Sequence, residues 1–424
     1  MTATAAARGG LGVADRARVA AILFCFALVP VAAALMHRAF APILLTIGAV
    51  AATRAAFWSH DLAGFFGRPA WRTPLTIAAV AALVFVALIA ARGAPGLALV
   101  AAAPIGASVA AVAYLRAVPA AAAGLARAFC VAVAAAVILL TIEYLTDGWL
   151  RAATPPTDET PGRWKDFVAL ARGVTAAAPC LFPAVAAGAA FLSGRQRRRL
   201  LAFGALAALL IPAAAFGVFS NVVALAAGAL AACAALKAPR TTITVLTVGF
   251  VVATLAAPAA VFIPAEALNA AHGATWPASW TQRLFVWNAA AEAAVRCLPF
   301  GCGPDYARAM AAAGATVSVE AAAIALPVMP THPHNVFLQI WLELGAPGAA
   351  AFAAALAAGG LALRRAAPSP VVAAGIVGSA AFALASFSLE ASLWQAWRSS
   401  AFGLAAIGNC LSYLVNRRVN TMRG

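Results

Sequence analysis

Twelve apolar runs separated by charged or turn-forming residues constrain this chain more than any other feature. They lie at about 19–36, 39–53, 74–91, 95–115, 129–146, 174–193, 200–219, 221–236, 242–264, 335–363, 369–389 and 397–415. Most are long enough to cross a hydrocarbon core of roughly 30 Å as a helix. In lipid every backbone N–H and C=O must be paired, which only helices and closed barrels achieve, and the alternating pattern of a barrel strand is absent. The expected fold is therefore all-α, a polytopic transmembrane bundle of about twelve spans. Only 10% of residues are charged and the mean hydropathy is +0.93, which excludes a soluble globular protein, where about a quarter of residues carry charge. The run from Val19 to Met36 is long enough to span and is not read as a cleaved signal. Residues 1–18, with Arg8, Arg16 and Arg18, read as a disordered cytoplasmic leader, and 19–424 as one transmembrane domain.

A formal net charge of +16 raises the question of nucleic acid. The basic residues, however, sit in short clusters between apolar runs, which is the pattern of membrane orientation and gives no reason to expect a nucleic-acid partner. With both termini cytoplasmic, 19 of the 29 basic residues fall on the inner side, including Arg195 to Arg199, Arg364, Arg365, Arg417 and Arg418. Of the 13 acidic residues, only Asp15 and Asp61 fall there. Two outer segments are then long. One, 147–173, holds Pro155, Pro156 and Pro161 and then Arg163, Lys165 and Arg172. The other, 265–333, lies between the ninth and tenth spans and is the largest extramembrane piece.

The polar chemistry gathers at the end of that second segment, in Thr331-His-Pro-His-Asn-Val-Phe-Leu-Gln-Ile-Trp-Leu-Glu-Leu-Gly-Ala-Pro-Gly348. At about 100° per residue, His334, Leu338, Trp341, Gly345 and Gly348 share one stripe of a helix, with Asn335 and Gln339 beside it and Glu343 pointing away. Two glycines in the stripe predict a close seam with another helix below the imidazole. A neutral imidazole can take a proton from a sugar hydroxyl at neutral pH. His334 is either that base or a hydrogen-bonded structural residue, with His332 and Asn335 at its side. The His-x-His spacing brings no third ligand, so no metal is expected. Earlier in the segment, Trp280 to Glu292 reads as an amphipathic helix with Arg283 and Trp287 one turn apart. Arg283 could bond two diphosphate oxygens and Trp287 could stack on a sugar; alternatively the pair anchors a helix among lipid headgroups. Pro299-Phe-Gly301-Cys-Gly303-Pro304 forces a tight turn, and Cys297 and Cys302 beside it are a disulfide pair or two free thiols. Arg172, at the outer mouth of the sixth span, is a second candidate for an anion or a snorkelling residue. Glu143, near the outer end of the fifth span, is expected to face protein or water.

The run His334-Asn335, nine residues, Gly345, two residues, Gly348 resembles the signature of the O-antigen ligase family, which also contains O-antigen and exopolysaccharide polymerases. Twelve spans, a large loop between the ninth and tenth, Arg283 followed by Trp287, the Pro-x-Gly-x-Gly turn and then His-Asn stand in the family's order, mainly over 200–363. The resemblance implies an enzyme of the bacterial inner membrane that works at its periplasmic face. It would move a glycan from undecaprenyl diphosphate to an acceptor hydroxyl, lipid A-core in a ligase or another lipid-linked glycan in a polymerase, without metal or other cofactor. It also implies that His334 activates the acceptor and Arg283 holds the diphosphate. One departure is clear. Where many members carry an arginine after a serine at the outer start of the eighth span, this chain reads Ser220-Asn221, and Arg172 is the expected substitute. A transporter of lipid-linked glycan would instead place charged residues along several spans, and this chain has almost none there.

Overall fold

The computed structural model describes residues 11–62, 69–153, 163–192, 194–216, 219–322 and 325–423. Most of the expected leader, with Arg8, lies outside the described residues, as do Arg68, Pro155, Pro156 and Pro161. The apolar runs form helices α1 (Val13–Leu35), α2 (Phe40–Ala52), α3 (Pro69–Ala91), α4 (Pro95–Ala117) and α5 (Ala122–Leu145). A single turn, α6 (Trp149–Ala152), precedes α7 (Arg163–Phe191), α8 (Arg195–Ala215), α9 (Phe219–Lys237) and α10 (Pro239–Ala256). The long segment then folds into α11 (Ala265–His272), α12 (Ala278–Arg296), α13 (Tyr306–Ala312) and a short antiparallel pair, β1 (Thr316–Val317) with β2 (Leu326–Pro327). Three helices complete the chain: α14 (Val336–Ala366), α15 (Pro370–Leu389) and α16 (Ala396–Arg423).

Among the described residues, ten helices are long and apolar enough to cross a membrane. The other two expected runs form helices that fall short of that measure. α2 is apolar but has 13 residues, roughly 20 Å. α16 is long but carries polar residues along its length. Packing follows small residues, since apolar side chains gain nothing from leaving lipid for one another. The ring of Phe182 on α7, for example, lies against Gly228 of α9 and Gly378 of α15. Glu143 meets the expectation for a membrane acid: it is fully buried and accepts from the amides of Leu150 and Arg151, at 2.8 and 3.0 Å.

The first half of α14 is covered on every side. Val336, Ile340 and Leu344 pack with Phe85 and Ile89 of α3. Leu338 and Leu342 pack with Val286 and Ala290 of α12, and Phe337 packs with Phe250 of α10 and Ala383 of α15. Trp341 donates from Nε1 to the Thr254 carbonyl at 2.7 Å.

The expected glycine seam is not what the structure contains. Gly345 breaks α14, with φ 64° and ψ −157°, a region that essentially only glycine occupies. Its neighbour in the seam, Gly348, faces the Leu344 side chain of its own helix. Two residues beyond the break lies Pro347, which has no N–H to donate to the carbonyl one turn back. That carbonyl, Glu343 O, instead accepts from the Gly303 amide at 3.1 Å, and Leu342 O accepts from the Cys302 amide at 2.7 Å. In return the Ala346 amide donates to Pro299 O at 2.7 Å. The Pro299–Gly303 turn thus supplies the hydrogen bonds that the broken helix cannot make for itself. Arg92, just past α3, donates to the carbonyls of Phe300 and Gly301 at 2.6 and 3.0 Å, and a Cys297–Cys302 disulfide closes the turn.

A Cβ at Gly345 would run into Pro299 O and the Gly301 amide. Gly345→Ala is therefore expected to destabilise the protein by roughly 3 kcal/mol, from backbone strain and overpacking together. Gly359→Ala, whose Cβ would meet nothing within 4 Å, is the control. Thermal unfolding in detergent reads the difference, and equal midpoints for the two variants would contradict the interlock.

Candidate active site

Polar helix ends and the long segment meet at one end of the bundle. There Trp287 donates from its indole nitrogen to Pro333 O at 3.0 Å, and Asn335 caps α14 by accepting from the Leu338 amide at 3.1 Å. His334 is held between these two anchors in the left-handed region, at φ 54°. Non-glycine residues seldom adopt this conformation, and here His332 secures it, its Nδ1 accepting from the His334 amide at 3.1 Å. The two imidazoles lie with ring centroids 4.4 Å apart. Nδ1 of His334 is buried and has no hydrogen-bond partner.

Burial first, and then the charge of Arg283, push the His334 imidazole down to about 4, partly offset by the backbone and carboxylate of Glu390. Burial, the neighbouring His334 and the charges of Arg398, Arg172 and Arg283 push His332 down to about 3. Both rings are neutral at ordinary pH, and three arginines from distant parts of the chain act on them. Arg283 donates from Nη1 to Ser279 O at 3.0 Å in its own helix, while its buried Nε has no partner. Burial lowers its guanidinium below the ordinary value, and Glu390 works against that.

Sequence reasoning missed Glu390 and Arg398, which lie in the turn from α15 and the first residues of α16. Arg398 is 5% exposed. Its Nη1 donates to Ser386 Oγ at 2.6 Å and to Glu390 Oε1 at 2.7 Å, and its Nε has no partner. Glu390 also accepts from the Ser220 hydroxyl. Burial alone would raise the Glu390 carboxyl, but Arg398, Ser220 and Arg283 outweigh it and hold the group below the usual carboxylate range. The available signal was an acid and a base within nine residues of an otherwise apolar region, a combination that marks function in membrane proteins.

The remaining expected site residues divide clearly. His332, Trp287 and Asn335 form the frame around His334. Arg172 is exposed on α7 and acts electrostatically on His332 and on His37, the latter in the turn before α2. Gln339, expected beside the substrate, is 1% exposed and both ends of its amide are engaged. Nε2 donates to Glu343 at 2.9 Å and Oε1 accepts from the Leu393 amide at 2.9 Å. It is an internal strut, because the stripe it shares faces α15 and the turn beyond it. Glu343 completes that strut, accepting from Trp394 Nε1 at 2.9 Å and from the Asp305 amide at 2.6 Å. Gly301 and Gly303 lie in the docked turn, and a Cβ at Gly301 (φ 74°) would strike the backbone at Gly345. Asn221 is buried, donates to Ala171 O at 3.2 Å and accepts from Thr175 at 2.9 Å. It thereby holds the backbone before Arg172 and the Thr175 hydroxyl after it.

Residues 167–353 match the family model described as O-Antigen ligase. No curated protein matches the chain.

His332 and His334 bind a proton more weakly when folded than the ordinary value of 6.5. Between about 4 and 6.5 the unfolded chain holds more protons, so their contribution is complete above 6.5 and is lost as pH falls through that window. The thermal midpoint of the wild type is expected to drop more between pH 7.5 and 4.5 than that of a His332→Gln, His334→Gln double variant. Parallel curves would show that the rings are not buried neutral.

Proposed function

We propose that this chain, residues 167–353 of which match the O-antigen ligase family model, is a member of that family and transfers a glycan from undecaprenyl diphosphate to an acceptor hydroxyl, with lipid A-core as the acceptor. The observation that carries this reading is an unpartnered imidazole nitrogen on His334, held neutral, within the electrostatic reach of the half-buried Arg283, whose Nε also has no partner. A base and an anion holder are the two groups such a transfer needs.

In the proposed reaction His334 Nδ1 takes the proton of the acceptor hydroxyl as its oxygen attacks the anomeric carbon. The bond from that carbon to the diphosphate oxygen breaks, its electron pair leaves with the lipid diphosphate, and the anomeric centre inverts. Diphosphate is a good leaving group, so positioning and charge stabilisation supply most of the acceleration. Arg283 meets the developing charge, Arg172 lies at the exposed edge where the donor enters, and His332, Trp287 and Asn335 keep His334 in place. No step calls for a metal or cofactor. The proposed setting is the bacterial inner membrane with both termini cytoplasmic and the site facing the periplasm. The charge asymmetry supports this orientation, and so does a disulfide at the same end, since disulfides persist in oxidising compartments.

Purified protein in liposomes with an undecaprenyl diphosphate glycan tests the reading, with lipid A-core in one arm and a second lipid-linked glycan in the other. Product in the first arm is expected for a ligase, and product only in the second would make the chain a polymerase. His334→Ala is expected to lower transfer about a thousandfold, and a variant working at the wild-type rate would refute the base. With His334 at about 4, kcat/KM is expected to stay nearly flat from pH 7.5 to 5.5. An unshifted histidine would lose about tenfold across that range.

A further inference from the structure

The departure at Asn221 leaves the proposed reaction short of one guanidinium, and the geometry points to Arg398 as its replacement, binding the diphosphate together with Arg283. This inference rests on the lipid-diphosphate donor proposed above. Its ground is spatial. Ser220, the residue beside Asn221, donates its hydroxyl to Glu390, and the other oxygen of that carboxylate holds Arg398. Only one carboxylate thus separates Arg398 from the start of α9, although some 180 residues lie between them in sequence. Asn221 itself is spent on Ala171 and Thr175.

The guanidinium of Arg398 is oriented without being used up. Nη1 spends its hydrogens on Ser386 and Glu390, while Nε is buried and unpartnered. An unmet donor on a side chain that is 5% exposed is costly unless something visits it. The unpartnered Nε of Arg283 and Nδ1 of His334 belong to the same neighbourhood. Charge leads to the same residue. Glu390 acts on Arg283 as well as on Arg398, so with Arg283 alone the acid would offset its charge. With Arg398 present, positive charge remains for a leaving group whose negative charge grows as the glycosidic bond breaks. The planar fork of arginine suits paired phosphate oxygens.

Arg398→Lys keeps the charge and the partner for Glu390 but loses the fork and the Nε donor. Binding of farnesyl diphosphate and of farnesyl monophosphate to the full-length protein in detergent, measured by calorimetry beside thermal unfolding, reads the effect. Diphosphate affinity is expected to fall about tenfold in Arg398→Lys, with monophosphate affinity changed less than twofold and the unfolding midpoint retained. Ser386→Ala, which removes one anchor of the same guanidinium, is expected to shift diphosphate affinity in the same direction by a smaller factor. It decides the matter if the lysine variant does not fold. Unchanged diphosphate affinity in the folded variant would overturn the assignment, as would equal losses for both ligands accompanied by a lower midpoint. Failure of the wild type to bind farnesyl diphosphate at all would instead overturn the donor reading.

Discussion

The backbone exchange between the Pro299–Gly303 turn and the break at Gly345 is the constraint on which the rest of the site depends. Helix α14 breaks at Gly345, and Pro347, two residues on, has no N–H to return to the Glu343 carbonyl. The two carbonyls set free inside an apolar bundle would be costly without donors, and the amides of Cys302 and Gly303 supply them. Consequences run in both directions from this joint. On one side the turn fixes the C-terminal end of α12, the helix that carries Arg283 and Trp287. On the other, Glu343, one turn before Pro347, takes the Asp305 amide, Gln339 and Trp394. Gln339 and Trp394 in turn hold the segment between Glu390 and Arg398. One helix break therefore ties together three parts of the chain: the loop arginine, the histidine and the connection between the last two helices.

Burial gives the site its electrical character. An imidazole removed from water and placed near Arg283 stays neutral even though Glu390 pulls the other way, so the lone pair on Nδ1 is free. Guanidiniums in the same setting keep their charge and act across a low dielectric, where each is worth far more than at a surface. Glu390 tempers the cluster and orients Arg398. The cluster sits at one end of the bundle, so the proposed transfer needs no charged path through the spans, which accords with their nearly uniform apolar character.

Much of this was legible in the residues. Apolar length forces helices, and the alternation of basic clusters groups the polar ends, which is why His334, Arg283 and Arg172 were expected on one side; Arg283 does act on His334, and Arg172 on the neighbouring His332. The tight turn at Gly301 and Gly303 was legible from its glycines and prolines. What it docks against was not, because backbone-to-backbone pairing between distant segments leaves no side-chain pattern. The same limit applies to Gly345: a glycine at helical spacing reads as a packing seam, and only Pro347 hints at a break. Gln339 shares a helical face with polar neighbours, yet its partners come from the turn after α15, which periodicity cannot anticipate. Arg398 was hidden by its position at the edge of an apolar run, where it reads as an end residue of a span.

The most direct measurement is a cryo-EM map of the protein in nanodiscs with an undecaprenyl diphosphate glycan bound, using His334→Ala to stop turnover. The account predicts diphosphate density between Arg283 and Arg398, with the first sugar beside the position vacated by His334. Diphosphate density elsewhere on the protein, with those two arginines left unoccupied in a fully liganded particle set, would contradict it.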